Sequence, residues 1–169
     1  MVSKLAQENT ATYSPLARLV DVEAAVESIA GISMDLNNVK PLGTIARGIY
    51  VLAGFEVIKD DIVITKERIE HVNIRHPGDW DKFGGLIMDV VNDPDEIYLD
   101  DDYPGTGLAI KVIKNELAFG VLQATVRIFL AGDPEERTNS IISYQYIKME
   151  RYKRIKRNKK LLYSKEYFV

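Results

Sequence analysis

In the stretch Phe119-Gly-Val-Leu-Gln-Ala-Thr-Val-Arg-Ile-Phe-Leu130, two sets of side chains alternate. Leu122, Ala124, Val126, Ile128 and Leu130 form one set, and Val121, Gln123, Thr125, Arg127 and Phe129 the other. Successive side chains of an extended chain point to opposite faces, so this run predicts a strand with a core face made by the uniformly apolar even set. The odd set, with Gln123, Thr125 and Arg127, is predicted to point away from the core.

Two further extended runs flank it. Leu108 to Lys114 precedes it across Asn115-Glu116, and Thr138 to Met149 follows it across Gly132-Asp133-Pro134. Turn residues at this spacing predict an antiparallel meander. In the last run neither alternate set is uniformly apolar, the pattern of a strand at a working surface. The chain then continues through a basic segment, Glu150 to Lys160, predicted as a helix, and a tail with Tyr163, Tyr167 and Phe168.

The first half reads as helices and loops. Asp21 to Ala30 has Asp21 as N-cap, an apolar stripe of Val22, Val26 and Ile29, and Gly31 as its stop. Ile32 to Pro41 has no clear period and reads as loop, with or without an extended piece, and Gly43 to Gly54 is ambiguous between helix and strand. Ile62-Val63-Ile64 reads as a short strand. A helix from about Asp79 to Asn92 carries Trp80, Phe83, Ile87, Val90 and Val91 on one face, with Trp80 as a core anchor. The predicted class is α+β, with N-terminal helices packed on an antiparallel sheet of about four strands. Residues 1–42 are expected to be an N-terminal extension with a short helix, and residues 43–169 the main domain with its basic C-terminal segment.

Both histidines lie in one further helix, Lys66 to His76, between the N-cap candidate Thr65 and the stop Pro77. At about 100° per residue, Ile69, Val72 and His76 share one stripe, and Arg68, His71 and Arg75 a neighbouring face. A histidine titrates near neutral pH, and an arginine one turn later holds a permanent planar charge suited to phosphate. The pair therefore reads either as a proton-transfer group beside an anion clamp or as solvated surface charge. His76 reads either as a second proton-transfer group or as a partner for the last helix carbonyls.

Charge is segregated along the chain. The net charge is −3, but Lys148 to Lys165 holds nine Lys or Arg against Glu150 alone. That segment carries +8 and the remainder −11. It reads as a solvated helix, as a footprint for a polyanion, or as a seat for an acidic surface. With no cysteine and only two histidines, disulfides, thiol nucleophiles and zinc-thiolate sites are excluded, and neither a metal nor another cofactor is expected. The acidic turn Asp100-Asp101-Asp102 lacks the ligand spacing of a calcium loop. No run is apolar for long enough to span a bilayer as a helix, and the expected location is the cytoplasm, a virion, or a target cell into which the protein is delivered.

Three segments together resemble a known family. Ile69-Glu-His-Val-Asn-Ile-Arg-His-Pro77, then Asn92-Asp-Pro-Asp-Glu-Ile-Tyr98, then Ser140-Ile-Ile-Ser-Tyr144 are similar to motifs of the phage-associated branch of the barnase, EndoU, colicin and RelE-like nucleases. The resemblance covers about Gly43 to Lys160. It departs in the late strand, where Ser140 and Ser143 stand in place of a threonine before an aromatic. The resemblance implies a metal-independent endoribonuclease, with RNA as substrate and an immunity or antitoxin protein as a further partner. It implies catalytic roles for His71, Arg75, His76 and Ser143, and RNA contacts from Arg127, Tyr144, Lys148, Arg151 and Arg154. Two rival readings are a module that binds RNA without cutting it and a protein-interaction domain.

Overall fold

In the computed structural model, which describes residues 38–115 and 118–167, the alternating run becomes the strand Ala118–Arg127 at the middle of a seven-stranded sheet. In chain order the elements are β1 (Val39–Thr44), α1 (Arg47–Leu52), β2 (Asp61–Thr65), α2 (Lys66–Arg75), α3 (Asp79–Phe83), α4 (Ile87–Asn92), β3 (Glu96–Leu99), β4 (Thr106–Asn115), β5 (Ala118–Arg127), β6 (Asn139–Ile147), α5 (Met149–Asn158) and β7 (Leu161–Ser164). The sheet order is β1-β2-β6-β5-β4-β3-β7. Every neighbouring pair is antiparallel except β2 and β6, which run parallel.

This corrects the expected architecture of N-terminal helices on an antiparallel sheet of about four strands. The sheet is larger and mixed, and the described helices are threaded between its strands. The predicted helix Asp21 to Ala30 lies outside the described residues. β1 does not read as one strand because Pro41 and Gly43 interrupt it, and the register shifts between them. A proline cannot donate to a ladder, and β1 tolerates it by lying at the sheet edge. β7 is only four residues long, and its partner is the edge of β3.

Helix ends follow local chemistry. The Thr65 hydroxyl accepts from the Arg68 N–H at 3.2 Å and caps α2. The single helix predicted from Asp79 to Asn92 is broken by Gly84-Gly85 into α3, a 3₁₀ turn and α4. A Cβ on Gly84 would stand 3.1 Å from the Trp80 ring, so the bare backbone there lets the indole lie close.

The sheet has a core on each side. On one, Leu122, Ala124, Val126 and Ile128 meet Tyr50 of α1, Val72 of α2 and Ile87, Val90 and Val91 of α4. On the other, Leu108, Ile110, Val121 and Ile147 meet Tyr152 and Ile155 of α5. The odd set of β5 is therefore not a solvent face: α5 covers it, and Gln123 and Thr125 are buried. Asn139, fully buried, ties the parallel pair together. Its amide donates to the carbonyls of Lys59 and Asp61 at 2.7 and 3.0 Å, and its oxygen accepts from the Phe129 N–H at 2.8 Å.

Glu96 anchors α5 to the sheet. Its carboxylate accepts from the Tyr98 and Tyr152 hydroxyls, each at 2.6 Å, and meets Lys156 Nζ at 3.0 Å. Burial alone would raise this carboxyl, but the bonds from Tyr152, Tyr98 and Lys156 together hold it below its ordinary value of 4.5. The folded state thus gains stability that is present above pH 4.5 and is lost as the pH falls through the lower folded value. Glu96→Gln should lower stability at pH 7 by about 1–2 kcal/mol and flatten the loss on acidification. Melting curves from pH 7 to pH 3 on both proteins check this; parallel curves would show that Glu96 is not the linked group.

Candidate functional site

The predicted site residues divide between the two faces of the sheet. α2 packs through Val72 onto the face carrying Leu122 and Ala124. His71 and Arg75 lie on its outer side and are exposed, one helical turn apart. Among the described residues neither side chain makes a hydrogen bond or an ion pair. His76 is half-buried at the C-cap, where its N–H bonds the Val72 carbonyl at 2.7 Å and its own carbonyl accepts from Asp79 N–H at 3.0 Å. His76 lies past the end of the helix, with non-helical backbone angles, so the helical repeat does not carry its ring onto the face of His71.

Tyr144 stands on the α2 side but inside the core. It is fully buried, its hydroxyl donates to the Phe83 carbonyl at 2.7 Å, and its ring meets Trp80 edge-on with centroids 6.4 Å apart. Next to it, Phe83 and Tyr146 stack at 5.4 Å. The outer end of the Tyr146 ring lies against Gly120, where a Cβ would stand 2.0 Å from it, so any larger residue there would have to displace the ring. The Asp79 carboxylate accepts from the Tyr146 N–H at 3.1 Å and joins the turn after α2 to β6.

Ser143, one residue before Tyr144, points to the opposite face. There its hydroxyl donates to Thr125 Oγ1 at 2.8 Å. It lines a groove of about 320 Å³ between α5 and the sheet, together with Gln123, Gln145, Arg151 and Arg154. Arg151 Nη1 donates to Gln145 Oε1 at 3.4 Å, and Asp100 and Asp102 are also in the lining. The structure therefore brings Ser143, Arg151 and Arg154 together and sets the sheet between them and His71 and Arg75.

The two remaining candidates have structural partners or none. Arg127 is clamped bidentately by Asp133, with Nη1 and Nη2 at 2.7 and 2.8 Å from its oxygens. Burial works against the Asp133 charge, but the bonds from Arg127 and from the Leu130 N–H hold its carboxyl below the ordinary value. This pair closes the turn after β5. Lys148 is the N-cap of α5 and is exposed, and its side chain makes no capping bond.

The basic segment is partly neutralised by the chain itself. Lys156 meets Glu96, Lys159 meets Asp100 and Asp101 at 3.6 and 3.5 Å, and Lys165 meets Asp93 at 2.7 Å. Lys153, Arg154 and Arg157 are exposed on α5 and, among the described residues, have no carboxylate partner. Reading the sequence missed Gln123, Thr125 and Gln145 as site residues. Their signal was present, since four polar residues fall in register on one face of β5 and β6, but without α5 in place that face reads as solvated.

No family model, curated protein or solved structure matches this chain. No helix among the described residues is long and apolar enough to cross a membrane.

Proposed function

We propose that this protein is a metal-independent endoribonuclease in which His71 and Arg75 act on one phosphate. The observation that carries the reading is the exposed His71–Arg75 pair, one turn apart on a capped helix and uncommitted to any described neighbour. The resemblance of Ile69 to Pro77 to nuclease motifs supports it. In the reaction the ribose 2′-hydroxyl attacks the adjacent phosphorus, its proton leaves to a base, and the 5′-oxygen departs with a proton, leaving a 2′,3′-cyclic phosphate. His71 carries one of the two proton transfers. Arg75 meets the charge that develops on the phosphorane oxygens. The test is incubation of purified protein with total RNA in EDTA, followed by analysis of fragment ends. Cyclic phosphate ends are the expected result, and intact RNA the result that overturns the reading.

A second reading, RNA binding without cleavage, is favoured by the exposed cations of α5 on the other side of the sheet. On either reading, replacing Lys153, Arg154 and Arg157 by Gln should weaken RNA binding across unrelated sequences. It should also flatten the salt dependence by up to about 0.7 in log–log slope per lost single-strand phosphate contact. Replacing Lys156, Lys159 and Lys165 should instead lower stability, because those cations hold Glu96, Asp100, Asp101 and Asp93. Salt titrations of binding on both triple variants check the division; equal slopes for both would remove it.

A further inference from the structure

Two cross-strand pairs of polar residues lie side by side on the face that α5 covers: Gln123 opposite Gln145, and Thr125 opposite Ser143. Their neighbours on this face, Leu108, Ile110, Val121 and Ile147, form an ordinary apolar core. Burying polar groups among them is unfavourable unless each finds a partner. Thr125 and Ser143 bond each other, and the Gln145 oxygen receives Arg151. Gln123 is different: the residue is 4% exposed, and its Oε1 has no hydrogen-bond partner among the described residues. An unsatisfied buried carbonyl oxygen is destabilising, and a leucine at this position would avoid that. Gln123 is among the residues that line the groove, so a turn of its amide toward the groove would let a ligand there complete the bonding.

The lining defines that ligand. A glutamine amide presents a donor and an acceptor side by side, and the last torsion can exchange them. Gln123 and Gln145 thus match the paired donor and acceptor on the edge of a nucleobase. Arg151 and Arg154, three residues apart on α5, stand where a phosphate would be held by charge-assisted bonds. Asp102, also in the lining, suits ribose hydroxyls, which can donate to a carboxylate. A volume of about 320 Å³ is at the small end for ligand sites and suits one nucleotide, not an extended strand.

We propose that this groove binds one nucleoside monophosphate unit, with its base edge on Gln123 and Gln145 and its phosphate on Arg151 and Arg154. The unit comes either from a free nucleotide or from one residue of an RNA strand. The site is separate from His71 and Arg75, which lie beyond the sheet, and the proposal does not depend on RNA cleavage.

The test is calorimetric titration of the full chain with the four nucleoside 5′-monophosphates, inorganic phosphate, and a 2′-O-methyl hexanucleotide that is inert to transesterification. At least one monophosphate should bind with Kd of about 1 mM or tighter, and inorganic phosphate at least about tenfold more weakly. Gln123→Leu should weaken the monophosphate by about tenfold or more while keeping or raising Tm. Arg154→Gln, at an exposed position, should weaken it similarly and keeps the test decisive if Gln123→Leu does not fold. Competition by the hexanucleotide assigns the site to a strand, and its failure to compete assigns it to a free nucleotide. Absence of monophosphate binding at about 10 mM, or phosphate binding as tightly as the nucleotides, overturns the proposal. So does wild-type affinity in folded Gln123→Leu or in Arg154→Gln.

Discussion

His71→Ala should lower the rate of RNA cleavage by about 10²–10⁴-fold, the usual contribution of a positioned proton-transfer group, while RNA binding stays nearly unchanged. The split between rate and affinity follows from where the residue sits. His71 is exposed on the outer side of α2, so its removal opens no cavity, and stability should change by no more than about 0.5 kcal/mol. Arg75→Ala should impair both turnover and binding, and turnover more, if the guanidinium meets charge that exists only in the transition state. Single-turnover cleavage of a labelled RNA, with binding measured on a 2′-O-methyl analogue, separates these effects. Wild-type cleavage by His71→Ala would remove this ring from the mechanism. Cleavage by wild type that stops with EDTA would do the same for the metal-independent reading.

Tyr144→Ala should destabilise the fold by about 3–5 kcal/mol, as expected for deleting a large ring from a packed core. Tyr144 is fully buried, its ring abuts Trp80, and its hydroxyl bonds the Phe83 carbonyl. Tyr144→Phe keeps the ring and loses only the bond, so it should cost about 1 kcal/mol. Urea unfolding of the three proteins measures both differences. If Tyr144 instead stacked on a base at the surface, Tyr144→Ala would lose RNA affinity with little change in stability. The motif Ser140 to Tyr144 would then act as the resemblance implies, through its aromatic.

The difference between those outcomes shows how much of the site was legible. The period-two alternation of β5 places Gln123, Thr125 and Arg127 on one face and Leu122, Ala124 and Val126 on the other, and the structure keeps that division. It did not reveal that both faces are covered. Alternation reports which side chains share a face, not what packs on it, and the amphipathic pattern of α5, with Tyr152 and Ile155 buried, says only that α5 lies on something. Likewise Arg127 reads as a free cation until Asp133, six residues on, is seen to hold it from two sides.

The sequence by itself determined the local elements with local causes. These are α2, with Thr65 as its cap and His71 and Arg75 on one side, the turn before β4, the strands β4 to β6, and the basic helix α5. Their signals are caps, turn residues and periodicities that act within a few residues. The tertiary structure decided what depends on distant partners. β1 and β7 are strands because neighbouring strands offer them hydrogen bonds, β6 lies parallel to β2 and is tied there by Asn139 bonding Lys59 and Asp61 about eighty positions away, and Ser143 joins Arg151 and Arg154 because α5 folds back over the sheet. Hydrogen bonds and burial across such separations depend on the closed chain, and no window of adjacent residues encodes them.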